Sequence, residues 1–169
     1  MQRDRTVDFI TAHITRGSRV LDVGSGRGGT AVEIALRTGC TVYGVDSSTW
    51  ALRGARAKAR DKGVSNRVIF LRQRAEKLDF PSGYFDLVYS IMALHETRHI
   101  EALNEMHRVL KDVDGRLIIV DWVKGSKAWT FERYFSLHEL EETVRETGFM
   151  MIKSGQEGDT LFLVAKKLV

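Results

Sequence analysis

The residues whose types and spacing suggest chemistry first fall in RVLDVGSGRGGTAVEIA, Arg19 to Ala35. Two alternations share its glycines. Gly24-x-Gly26-x-x-Gly29 has the spacing of a dinucleotide-binding turn, where glycines let the backbone bend and a diphosphate approach a helix N-terminus. Asp22-x-Gly24-x-Gly26-x-Gly28 instead puts a carboxylate two residues ahead of the first glycine. Such a carboxylate on the ligand path repels a diphosphate by about 4 kcal/mol for charges ~4 Å apart at an effective dielectric of ~20. It attracts an amino group or a sulfonium. Asp46 closes YGVD twenty residues after Gly26, where a carboxylate accepts hydrogen bonds from both ribose hydroxyls. A nucleoside is expected under either alternation, and Asp22 favours a cationic one over NAD.

Elements that position these residues alternate along the chain. SRVLDVG, CTVYGVD, VIFLRQR, FDLVYSI and GRLIIVDW are short apolar runs of the kind that form buried parallel strands. Between them, GTAVEIALRTG places Val32, Ala35 and Leu36 on one helical face and ends at Gly39. STWALRGARAKARDKG starts at a Ser48 or Thr49 cap, and RHIEALNEMHRVLKDVDG repeats Ile100, Leu103, Met106 and Leu110 at helical spacing. This cadence predicts an α/β, doubly wound, Rossmann-like sheet of seven mostly parallel strands with helices on both faces. Near the end, Ser136 and Glu139 have capping-box spacing, and MMIKSGQEGDTLFLVAKK gives two strands too close for a crossover. An antiparallel terminal strand follows. The reading is one domain over 1–169: an N-terminal helix in 1–18, a ligand-binding half in 19–121 and a second side in 122–169.

With these pieces in order, the chain resembles the class I S-adenosylmethionine-dependent methyltransferases, in the small-molecule branch called the methyltransferase domain 11 group. The resemblance rests on VLDVGSGRGG, VDSS, AEKLDFPSGYFDLVYS, LHE, EMHRVLKDVDGRLIIVDW and RYFSLHELEETVRETGF, spanning residues 19 to 169. It implies S-adenosylmethionine as cofactor. Asp22, Gly24, Ser25, Gly26, Arg27 and Gly28 would hold its methionine part, and Asp46 the ribose, with Ser47 beside the adenine. Ala75 and Glu76 would meet the adenine edge, and Ser90 and Ile91 would line the methyl end. Family members often carry a second His or a Val after LH, where this chain has Glu96 and Thr97.

Methyl transfer from a sulfonium is an in-line displacement, in which alignment alone supplies roughly 7–11 kcal/mol. A base is needed only for an acceptor that loses a proton. His95 and Glu96, just past the fourth strand, are the candidates. Trp122, Trp129, Arg133 and Tyr134, with Phe131, Lys124 and Lys127, form a candidate substrate wall. His99, His107 and His138 read as structural or exposed. YSIMALHE is not the Asn/Asp-Pro-Pro-aromatic turn used on exocyclic amines. No Pro-Cys nucleophile exists for cytosine C5, and one cysteine argues against arsenite methylation.

The whole chain sets the remaining bounds. Its 169 residues, 43% hydrophobic and 28% charged, suit a soluble globular domain with no membrane span. The charged N-terminus and lone Cys40 point to the cytoplasm and exclude an internal disulfide or a Cys-based metal site. The formal charge of +4 is concentrated between Arg53 and Lys77, a surface that suits an acidic substrate or RNA, or is simply solvated. The leading reading is a monomeric or homodimeric small-molecule methyltransferase. The alternatives are an RNA or protein methyltransferase, a non-catalytic cofactor-binding partner subunit and, more remotely, an NAD oxidoreductase.

Overall fold

The computed structural model describes residues 3–126 and 134–168. Its apolar runs form β1 (Arg19–Val23), β2 (Thr41–Asp46), β3 (Val68–Arg72), β4 (Leu87–Ile91), β5 (Arg116–Trp122), β6 (Phe149–Glu157) and β7 (Thr160–Lys167). They make one seven-stranded sheet in the order β3-β2-β1-β4-β5-β7-β6. The pairs β3–β2, β2–β1, β1–β4 and β4–β5 are parallel. Strand β7 is antiparallel to both β5 and β6.

The antiparallel strand is therefore last in the chain yet one place in from the sheet edge. Burial explains the inversion. Leu161, Leu163, Val164 and Ala165 of β7 are fully covered, whereas β6 leaves Met150, Ile152 and Lys153 exposed. Charged, twisted strands are the ones that tolerate an edge, and β6 also carries a register irregularity between Met151 and Lys153.

Helices cover both faces of the sheet. On one lie α1 (Arg3–Thr11), α2 (Gly29–Thr38) and α3 (Thr49–Asp61). On the other lie α4 (His99–Val109) and α5 (Leu137–Glu146). Ser48 caps α3 by accepting the Ala51 N–H, and the Ser136–Glu139 capping box on α5 is fully formed. Gly39 ends α2 in the left-handed conformation. Two predicted apolar-face residues, Leu36 and Ile100, lie instead 44% and 49% exposed. The helices bury Ala31, Val32, Ile34 and Ala35, and Ala102, Leu103, Met106 and Val109, which form the apolar stripes turned to the sheet.

Strand periodicity fixes the place of Asp22. Leu21 and Val23 face α4 and α5 while Val20 faces α1–α3, so Asp22 also projects to the α1–α3 side. There it is 3% exposed and aligned with Tyr89 of β4. Burial pushes its carboxyl up to about 7, the Tyr89 hydroxyl opposes that shift and the Asp46 charge adds to it. The Tyr89 hydroxyl stops short of a hydrogen bond. Asp22 is thus no fixed charge at the mouth of the turn, as the sequence led one to expect; it is a buried carboxyl near its neutral point.

A raised carboxyl pKa means that the folded state holds a proton the unfolded chain has released. Stability then falls as pH climbs from about 4 to about 7. Asp22→Asn is expected to raise stability by a few kcal/mol at pH 8, with the gain vanishing below pH 4, in thermal unfolding of the cofactor-free chain. A gain independent of pH would refute the assignment.

Candidate functional site

Strand order reverses between β1 and β4, and a cleft opens there beyond the carboxyl ends of the strands. Its volume is about 300 Å³. The turn after β1 supplies Gly24 and Gly26, the end of β2 supplies Asp46 and Ser47, and the segment after β3 supplies Gln73 to Glu76. Ser90, Met92, Ala93, Glu96 and Thr97 come from β4 and the short 3-10 turn Leu94–Glu96 that follows it.

The turn itself decides between the two glycine alternations. Gly24, Gly26 and Gly28 all have positive φ, whereas Gly29 is simply the first residue of α2. The working pattern is therefore Asp22-x-Gly24-x-Gly26-x-Gly28. A Cβ on Gly24 would lie 2.3 Å from the Ala93 Cβ, so only glycine lets the loop after β4 close on the turn. At Gly26 the space a Cβ would take is open. The Gly24 and Ser25 N–H groups donate to the Val45 carbonyl, each at 2.9 Å.

Asp46 completes the turn. One carboxylate oxygen accepts the Gly26 N–H at 2.8 Å and the other the Ser48 N–H at 2.8 Å. Each oxygen keeps a lone pair for a further donor. Glu76 lines the same cleft and accepts the Arg98 N–H at 3.1 Å and the Arg74 guanidinium at 3.3 Å. Burial raises its pKa, but the Arg98 N–H and Arg74 outweigh it and hold the group below its ordinary value. With Glu96, these carboxylates face a single cation, Arg74, among the lining residues. The cleft is acidic, for a reason other than Asp22.

Two further observations fit a nucleoside that carries an amino acid. Ser90 Oγ and Ser25 Oγ are buried without a hydrogen-bond partner, and a group so placed needs one. A smaller pocket beside the turn is lined by Asp22, Gly24, Ser25, Arg27 and Ile91. It is this pocket, and not the larger cleft, that takes in Asp22, Arg27 and Ile91. Arg27 also lies over the Trp50 ring, 5.1 Å from its centroid. Gly28 caps α2, and Ala75 lines the larger cleft together with Glu76.

His95 lies behind the cleft. Its Nδ1 is 2.6 Å from Asp121 Oδ1, and its backbone N–H donates to Asp121 Oδ2 at 3.1 Å. Asp121 is fully buried at the end of β5, where Oδ1 also accepts the Trp122 N–H at 2.8 Å. Imidazole Nε2 is 3.8 Å from Glu96 Oε1, and the ring lies against Tyr134 with centroids 4.8 Å apart. Asp121 was missed in the sequence because GRLIIVDW reads simply as a buried parallel strand. Only the β4–β5 pairing brings it under His95.

The remaining candidates divide clearly. Trp122 adjoins Asp121 through its main chain and Tyr134 reaches His95 through its ring, whereas Trp129 and Arg133, like Lys127 and Phe131, lie outside the described residues. Lys124 pairs with Glu139 at 2.9 Å. His107 contacts the Gly148 carbonyl at 3.1 Å, His99 packs edge-on to Phe135, and His138 is exposed beside Glu142. Among the described residues no group of His, Cys, Asp and Glu is arranged to hold a metal, and no helix is long and apolar enough to cross a membrane.

Sterol 24-C-methyltransferase of Saccharomyces cerevisiae is 37% identical over 117 residues, covering 69% of this chain and 30% of that protein. A ubiquinone/menaquinone biosynthesis C-methyltransferase of Pseudomonas aeruginosa is 38% identical over 116 residues, 67% of this chain and 45% of its own length. The chain thus spans less than half the length of these relatives. Among solved structures, the [4+2]-cyclase SpnF aligns with a TM-score of 0.89 at 23% identity, covering 98% of this chain and 82% of its own. Geranyl diphosphate C-methyltransferase from Streptomyces coelicolor A3(2) aligns at 0.85 with 16% identity, over 98% of this chain and 77% of its own. These two likenesses concern the fold alone. A family model described as a methyltransferase domain matches residues 20–113, from β1 through α4, and by that match the chain belongs to the methyltransferase domain family.

Proposed function

We propose that the chain binds S-adenosylmethionine in the acidic cleft and methylates a small-molecule acceptor. The observation that carries this reading is the Asp46 carboxylate, which holds the glycine turn through Gly26 and keeps lone pairs for two ribose hydroxyls. Ser47, Ala75 and Glu76 flank the adenine. The N–H-rich turn, Ser90 and the pocket of Ser25 and Arg27 take the methionine portion. The cofactor supplies an electrophilic methyl group on a cationic sulfur. Asp46, Glu76 and Glu96 favour that cation and disfavour the diphosphate of NAD.

The chain's own contribution to the chemistry is alignment and a proton acceptor. Asp121 accepts a hydrogen bond from the Nδ1–H of His95, which sets the tautomer with Nε2 as the basic nitrogen, 3.8 Å from Glu96 Oε1 at the edge of the cleft. A proton released by an O–H, N–H or C–H acceptor then passes to Glu96 or His95. Both curated relatives are named as C-methyltransferases, which supports a carbon acceptor on the side of the cleft where Trp122 and Tyr134 lie. A monomer or homodimer is part of the same reading, as is a cytoplasmic location, with which the buried free thiol of Cys40 is consistent.

Asp46→Ala removes charge-assisted hydrogen bonds worth about 1.5–3 kcal/mol each, so S-adenosylhomocysteine should bind at least about tenfold more weakly by calorimetry. Unchanged affinity would mean that the ribose is held elsewhere. With labelled cofactor and a metabolite extract, the wild-type chain should yield a labelled product identifiable by mass, and no product at all would refute the reading. On that product's precursor, Asp121→Asn should slow turnover by about 10²–10⁴-fold and distort the pH profile, with S-adenosylhomocysteine affinity intact. Equal rates and profiles would remove His95 from the chemistry.

A further inference from the structure

A second cleft, of about 940 Å³, opens beside the first and shares Ser47, Gln73 and Arg74 with it. Its charge is reversed. Arg72, Arg74 and Lys77 line it against one carboxylate, Asp79. Local structure holds these cations on one side. Arg72 is aligned with Asp46 across the β2–β3 pairing, and its Nε donates to the Ser47 carbonyl at 3.2 Å. Arg74 and Lys77 are bridge partners across a tight turn, which sends both side chains to the same face. Each arginine spends only Nε on the protein. Among the described residues, their terminal nitrogens and Lys77 Nζ make no hydrogen bond or ion pair.

We propose that this cleft is a second ligand site, one that takes the phosphate oxyanions of a ligand distinct from the nucleoside next door. Planar guanidinium groups match phosphate bidentately, which an ammonium alone does not. Leu71 and buried Leu78 give the cleft an apolar floor for the organic part of that ligand. The site adjoins the Ser47 end of the nucleoside pocket, across the sheet from His95 and Asp121 on the β4–β5 side. It therefore serves anchoring or regulation rather than the reacting atom. The phosphate comes either from a free phosphorylated compound or from a single-stranded polynucleotide.

The two sources separate experimentally. Inorganic pyrophosphate is titrated calorimetrically into the full chain, and a labelled oligouridylate of roughly 12 nucleotides is followed by anisotropy at several salt concentrations. Arg72→Gln/Lys77→Gln tests the cleft; Arg53→Gln/Arg60→Gln removes equal charge from exposed positions on α3. The thermal shift given by S-adenosylhomocysteine confirms that each variant is folded. The expected result is at least about tenfold weaker binding of one probe in the cleft variant only. For the oligonucleotide, the slope of log K against log salt should also shrink by about 1.4, for two lost phosphate contacts. Pyrophosphate binding alone assigns a free ligand, and oligonucleotide binding alone assigns a strand. Binding of neither probe overturns the site, as does equal weakening in both double variants.

Discussion

The site depends on one carboxylate that satisfies backbone on two sides. Asp46 accepts from Gly26 in the turn after β1 and from Ser48 at the cap of α3. Charge-assisted bonds of this kind are about twice as strong as neutral ones. Together with the Gly24 and Ser25 bonds to Val45, they tie a glycine-rich turn, which has little conformational preference of its own, to the end of β2. The turn is thus preorganised before any ligand arrives. Its remaining acceptors face the cleft rather than the protein.

Packing from the other side of the switch point completes that frame. Ala93 presses against Gly24, and the preceding Met92 is held at φ 51°, a left-handed conformation a non-glycine residue rarely adopts. Its N–H is fixed by the Val120 carbonyl at 2.8 Å. Strain of this sort persists where the surroundings over-determine it and gathers at ligand sites. The chain then runs straight into the turn carrying His95, which buried Asp121 anchors at both the ring and the backbone.

Charge is sorted over short distances. The cleft of Asp46 and Glu76 is acidic and its neighbour basic, with Arg74 at their shared wall, its guanidinium paired to Glu76. Asp22, the most deeply buried of the acids near the turn, contributes little to this field because desolvation favours its neutral form. The basic run from Arg53 to Lys77 is not one surface. Arg56 donates to the Phe70 carbonyl and Arg72 to that of Ser47, while Arg53 and Arg60 stay on the exposed face of α3.

The sequence determined the strands, the helix caps, the parallel crossovers and the glycine turn with Asp46, because each is written in local spacing. A short apolar run marks a buried strand, Ser136 with Glu139 marks a cap, and Asp46 lies at a fixed interval from Gly26. Three things were decided only by tertiary structure: the insertion of β7 between β5 and β6, the inward turn of Asp22 toward Tyr89, and the union of His95 with Asp121. Each depends on which strands lie side by side. Partners 26 residues apart in the chain, or 67 as in Asp22 and Tyr89, leave no period to read, and the cost of burying a carboxyl is set by neighbours that only the folded sheet supplies.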